Sequence, residues 1–174
     1  YIAGYVLVSL LMTLWVLPGL VAALTPIPHR QMLSSTGQAL ILAFSTGSLF
    51  VVLPMLTEQT RDLLRTHGGL PEHDANLPDV IIPTSFNFPH TAKLLSLTFV
   101  LFAAWFSGSA LSPTEYPSLA AMGILVFFGS LNVAVPFLLD FFHVPADTFQ
   151  LFLATSVVNA RFGTLLSAVH TVAV

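Results

Sequence analysis

Cysteine is absent from this 174-residue chain, and charge is nearly so: five Lys and Arg and eight Asp and Glu make up 7% of the residues. Without a thiol there is no disulfide, no zinc–thiolate or iron–sulfur site and no cysteine nucleophile. A water-facing domain wets its surface with about 25% charged residues. Here 55% of the chain is hydrophobic and the mean hydropathy is +0.86. The polar area needed to coat a soluble globule is missing, so the chain reads as a membrane protein or a piece of one. A net charge of −3 with five basic residues offers no cationic stripe to nucleic acid. Tyr1 lies in an apolar run with no initiator Met or basic leader before it. That reads as an excised segment of a longer protein rather than as a signal peptide with its mature domain.

What is present is a series of apolar runs with breakers at their centres. Residues 1–28 carry no charge and have the length of one helix crossing about 30 Å of hydrocarbon. Pro18-Gly19 should kink it, and the run Thr25-Pro26-Ile27-Pro28-His29-Arg30 should end it. Residues 31–57 are also uncharged, but Ser45-Thr46-Gly47-Ser48 and Pro54 divide them into two short helices meeting at a small polar tip. Residues 58–79 hold more than half of the charged side chains and read as an aqueous loop with a helical start. The next span, 80–111, is crossed by Thr84-Ser85-Phe86-Asn87-Phe88-Pro89-His90-Thr91. After a turn at 112–118, a second broken pair occupies 117–145, with Gly129-Ser130-Leu131-Asn132 at its tip and Pro136 beyond. The last span, 147–174, is interrupted by Thr155-Ser156-Val157-Val158-Asn159 and carries Arg161.

These segments repeat. A hairpin with a Gly/Ser tip and a trailing Leu53-Pro54 or Val135-Pro136 precedes a span bearing Thr84-Ser85 and Asn87, or Thr155-Ser156 and Asn159. If each hairpin returns to its own side, the two units enter the membrane from opposite faces. That is the inverted-repeat pattern of secondary transporters, in which broken helices place backbone dipoles at the bilayer midplane. The plainer alternative is that Gly, Ser and Thr only let helices pack closely; two matched tips, each followed by an Asn-bearing span, favour the transporter. Arg30, Arg61 and Arg65 flank the first hairpin, while the 112–118 turn has no basic residue. The positive-inside rule then puts the 58–79 loop in the cytoplasm and the 112–118 turn outside.

The run from Ala43 to Pro54, AFSTGSLFVVLP, resembles the serine-rich first-hairpin motif of the dicarboxylate/amino acid:cation symporters, the glutamate-transporter family, approximately A-F-S-T-S-S-S-S-A-T-L-P. Asn87-Phe88-Pro89-His90-Thr91 sits where that family has N-M-D-G-T, and Thr155 to Gly163 sits where it has R-T-x-x-N-V-x-G-D. The resemblance covers nearly the whole chain, as the transport-domain half. It implies an all-α membrane fold, an inverted repeat of re-entrant helical hairpin plus broken transmembrane helix, and no enzymatic activity. It further implies a homotrimer formed through helices that precede this segment, and a multi-pass protein of the plasma membrane, the inner membrane in a bacterium.

Carried over by position, Gly47, Ser48 and Leu49 of the first tip and Leu131, Asn132, Val133 and Ala134 of the second would offer backbone groups to a substrate carboxylate. Thr91, Thr155, Ser156, Asn159 and Arg161 join them as substrate-side residues. Ser85, Asn87 and Asn159 are the cation-side residues, with sodium expected at Asn87 and Asn159, since a hard cation takes oxygen donors. Several charged positions of the family pattern are replaced: the acid of N-M-D-G-T is Pro89, the last span's acid is Gly163, the side-chain-reading arginine is Thr155, and the amino-group aspartate is Phe152. With Phe152 there, an α-ammonium would be left desolvated and unpaired, which rejects ordinary amino acids. A small carboxylate without an amino group is the expected solute, with Na⁺ or H⁺ as coupling ion and His90 as the candidate proton carrier.

Other polar residues have plainer readings. Arg161 costs about 2.5–3.5 kcal/mol to insert. It either binds the anion or snorkels to an interface or pairs within the domain. It lies about 200° round a helix from Asn159. Lys93, near the start of its span, should snorkel; Asp140 should mark the outer end of the second hairpin and Asp147 a helix start. His67, Glu72, His73 and Asp74 form a solvated loop rather than a metal site, since no H-E-x-x-H or helical i, i+4 His pair occurs. Nor is there a G-x-S-x-G to support serine hydrolysis. The fifteen phenylalanines are lipid- and core-facing bulk. Three function classes follow: a secondary transporter of a small organic anion, which leads; a non-transporting membrane receptor or subunit that retains the fold; and an intramembrane enzyme built around the His-rich loop.

Overall fold

The computed structural model describes residues 1–68, 76–86 and 88–174, and among these every regular element is helical. Helix α1 spans Ile2–Leu24. Its irregularity is a π-helical turn at Met12–Val16, one turn upstream of the expected kink at Pro18-Gly19. The cause is local. Pro18 has no N–H, so the Leu14 carbonyl four residues back loses its helical donor; the His29 imidazole takes it instead, with Nε2 2.9 Å from that oxygen. The helix stops at Thr25, whose backbone is extended and whose hydroxyl donates to the Val21 carbonyl at 2.8 Å.

Helix α2, His29–Thr46, ends on Gly47, which takes the left-handed conformation (φ 65°) that favours glycine and donates its N–H to the Ala43 carbonyl at 2.9 Å. One extended residue, Ser48, reverses the chain into α3, Leu49–Leu63, which runs on through a π-helical turn at Leu64–Gly68. Helix α4, Leu77–Ser85, packs on α3, and Arg61 forms an ion pair with Asp79 across them. Helix α5 spans Thr91–Phe106. The 112–118 turn is closed by a capping box in which the Ser112 amide and hydroxyl each lie 2.8 Å from the Glu115 carboxylate. The amide first, then the hydroxyl, holds that exposed carboxyl below the ordinary glutamate range.

Helices α6, Tyr116–Val126, and α7, Leu131–Phe141, form the second pair, and the Ser130 hydroxyl caps α7 by accepting the Asn132 N–H at 3.3 Å. Helices α8, Ala146–Ala154, and α9, Ser156–Ala173, are bent by 67° at Thr155. Pro54 lies inside α3 and Pro136 inside α7, each five residues beyond the helix's first residue. The two second arms therefore lack a backbone donor at the same place.

Two cores result. Leu17, Met32, Val52, Leu56, Ile82 and Leu166 join α1, α2, α3, α4 and α9. Phe99, Phe127, Val135, Leu138 and Phe152 join α5, α6, α7 and α8. Helix α9 links them, packing against α1, α2, α3 and α5. The outside is apolar as well: Trp15, Ile41, Phe50 and Trp105 all stand exposed, as lipid-facing side chains do. Among the described helices, α1 alone is long and apolar enough to cross a membrane unaided, and α8–α9 meets the same test as one broken span.

Candidate functional site

A cavity of about 220 Å³ lies where the two helix pairs meet the two broken spans. Its wall includes Leu49 and Leu131, the first residues of α3 and α7. The first turn of a helix carries amides with no helical acceptor and the positive end of the dipole. The cavity thus receives two such ends, one from each pair. Among the described residues Tyr5, His90, Lys93, Asn159, Thr164 and Ser167 supply its polar side chains, and no Asp or Glu lines it.

Asn159 is fully engaged. Its side-chain oxygen accepts from the Tyr1 hydroxyl at 3.1 Å, its backbone carbonyl accepts from the Tyr5 hydroxyl at 3.3 Å, and its amide donates to Thr155 Oγ1 at 3.1 Å. Tyr5 also explains Gly163: a β-carbon there would stand 2.8 Å from the tyrosine hydroxyl. The Ser167 hydroxyl donates to the Gly163 carbonyl at 2.7 Å and lies 3.0 Å from His90 Nδ1. A serine has one proton to give, so while it goes to the Gly163 carbonyl any hydrogen bond with His90 is donated by the imidazole.

Lys93 of α5 and Arg161 of α9 both serve the ends of the helix pairs. Lys93 Nζ donates to the Phe127 carbonyl at 2.9 Å and reaches the Gly129 carbonyl at 3.4 Å, at the C-terminal end of α6. Arg161 donates to the Phe44 carbonyl at 3.2 Å, in the last turn of α2. The arrangement is crossed. The span after the first pair fastens the second pair, and the span after the second pair fastens the first. Each meets carbonyls at a helix C-terminus, where a cation is favoured.

Of the residues singled out from sequence, Leu49, His90, Lys93, Leu131 and Asn159 line the cavity. Gly47 sits at the first tip against Ala160 and Arg161, and the Ser48 amide is held by Thr46 Oγ1 at 3.3 Å. Asn132 belongs to the capped first turn of α7, Val133 is exposed, and Ala134 is buried in the second core. Thr91 bonds His170 Nδ1 at 2.8 Å, and Ser85 donates to the Ile82 carbonyl at 2.8 Å. Thr155 receives the Asn159 amide, while Ser156 is exposed. Asn87, like Glu72, His73 and Asp74 of the polar loop, lies outside the described residues. Among the described residues no cluster of three or more His, Asp or Glu is placed to hold a metal ion.

Tyr1, Tyr5, Thr164, Ser167 and the inward role of Lys93 escaped sequence reasoning. Tyr1 and Tyr5 did leave a trace, since residues four apart share one helix face and they are polar-tipped on an otherwise apolar helix.

An all-helical, charge-poor chain whose broken helices converge on a small polar cavity is of the class of integral membrane transport proteins. The profile of the Sodium:dicarboxylate symporter family matches residues 1–174, the whole chain, and the protein belongs to that family. It is accordingly a transporter and not an enzyme. No curated protein and no solved structure matches it.

Proposed function

We propose that the chain binds and carries a small carboxylate that lacks an amino group, across the membrane and by way of the cavity between the hairpin tips. The observation that carries this reading is the composition of the cavity wall among the described residues: the first residues of two helices, one lysine and no carboxylate. Such a wall favours an anion, and nothing in it would pair with an α-ammonium. The volume, about 220 Å³, is the share of roughly seven waters. That suits a solute of a few heavy atoms. A dicarboxylate would present one group to each helix end.

The same reading takes α2–α3 and α6–α7 as re-entrant hairpins of an inverted repeat. It takes the 58–79 loop as cytoplasmic and the 112–118 turn as external, in a multi-pass protein of the plasma or bacterial inner membrane. The matching place of Pro54 in α3 and Pro136 in α7 supports the repeat. The homotrimer and a Na⁺ or H⁺ coupling ion belong to this proposal through the family. No observation favours a non-transporting receptor.

The test is uptake of labelled succinate and labelled aspartate into proteoliposomes, for the parent and for Asn159→Ala. Saturable succinate uptake that exceeds aspartate uptake, and is lost in the variant, is the expected result. Tight aspartate binding would overturn the substrate assignment, and uptake unchanged in Asn159→Ala would remove the site.

A further inference from the structure

The carbonyls of Phe127 and Gly129 stand at the end of α6, where the last helical oxygens have no amide partner and carry the negative end of the dipole. In apolar surroundings an unpaired pair of this kind is costly and attracts a small monovalent cation. Here the Lys93 ammonium is already on them, at 2.9 and 3.4 Å, carried by a span from the other half of the chain. It is the only lysine in the sequence. An ammonium is a compact single charge with three N–H donors and no acceptor. On two carbonyls it replaces a bound alkali ion in charge and in the oxygens it satisfies.

Three other oxygens of the cavity wall are also engaged. Asn159 Oδ1 faces the Tyr1 hydroxyl, its backbone carbonyl faces the Tyr5 hydroxyl, and the Gly163 carbonyl faces Ser167. A free cation placed among these would meet donors. Among the described residues the cavity wall holds no carboxylate to compensate the loss of its hydration. Sodium therefore does not fit the described part of this site.

We propose that Lys93 is a cation built into the chain, filling the monovalent-cation site formed by the Phe127 and Gly129 carbonyls, so that the second hairpin tip is held without free sodium. Where the anion reading of the cavity also holds, the same ammonium supplies the solute's countercharge. The cation site itself is testable with no solute present, so the two readings fail separately.

The experiment is thermal unfolding of the purified protein, without organic anion, in sodium chloride and in choline chloride at matched ionic strength. The parent is expected to unfold at the same midpoint in both salts. Lys93→Gly should unfold at a lower midpoint, which ethylammonium restores and tetramethylammonium, having no N–H to donate, does not. Lys93→Arg, which keeps charge and donors, should stay close to the parent in both salts. A saturable sodium-dependent rise of roughly 5 °C or more in the parent would overturn the proposal, and that measurement needs no variant. Equal action of the two ammonium ions on Lys93→Gly would overturn it as well.

Discussion

The Tyr5 hydroxyl stands 2.8 Å from the point that a β-carbon on Gly163 would occupy. A contact that short is unknown for real side chains, so one of the two must move when residue 163 gains an atom. Tyr5 is itself held by the Asn159 carbonyl and is 3% exposed, which leaves it little room. Gly163→Ala is therefore expected to cost about 1–3 kcal/mol, the usual range for overpacking. Tyr5→Phe removes the offending oxygen, and in the double variant most of the Gly163→Ala cost should disappear. Unfolding of the four proteins in detergent gives the coupling energy; additive effects would show that the two residues do not meet.

Topology can be read with single cysteines, because the chain has none of its own. Thr66, in the π-helical turn after α3, and Ser112, at the start of the capping box, are both exposed. On the inverted-repeat reading, cysteines at these positions are labelled by an impermeant thiol reagent from opposite sides of the membrane. Labelling of both from one side would be incompatible with that reading.

Glu115 gives a pH dependence with a definite sign. Its folded carboxyl is held below the ordinary range by the Ser112 amide and hydroxyl, so the capping box contributes order above the unfolded pKa and loses it as pH falls through the depressed folded value. Hydrogen exchange at the Ser112 amide should be slow at neutral pH and should quicken on acidification. Glu115→Gln should remove the pH response. A parent amide whose protection is the same at neutral and acidic pH, after correction for the intrinsic exchange rate, would contradict this.

Arg161 holds the Phe44 carbonyl near the end of α2. Removing it leaves one more helix-end oxygen without a donor, and Arg161→Met is expected to destabilise by about 1–3 kcal/mol, the range for a hydrogen bond to a charged group. Protease cleavage or thiol labelling near Gly47 and Ser48 should rise in the variant while labelling at the second tip stays unchanged. An equal rise at both tips would argue for general loosening rather than loss of this contact.

Local chemistry made much of the helical plan legible. Gly47 takes the conformation only glycine adopts readily, Ser130 caps α7 with its own side chain, and Thr25 stops α1 with its hydroxyl. Each acts on residues within one turn, so residue type alone carries the signal. The expected kink at Pro18-Gly19 illustrates the limit. The proline was the cause, but the distortion settled upstream at Met12–Val16, where the Leu14 carbonyl could be served by His29. The site was less legible still. Lys93 finds carbonyls 34 and 36 residues away, and Arg161 finds one 117 residues away. Hydrophobic periodicity gives each helix a face but not the neighbour that face will meet. For Lys93 and Arg161 the sequence could price insertion, yet the helix ends that receive them exist only after the two pairs have docked.

The pairing of Tyr1 with Asn159 sets an order in time. The two residues are 158 positions apart, and a ribosome adding about 5–20 residues per second needs on the order of ten seconds to make the second after the first. Throughout that interval α1 carries two tyrosine hydroxyls without the residue that will accept them. Until then α1 has to persist without α9. Its uncharged span, with a mean hydropathy of 2.3, is the one described helix whose length and composition allow it to do so. Helix α9, which completes the site, is also the one that ends the wait.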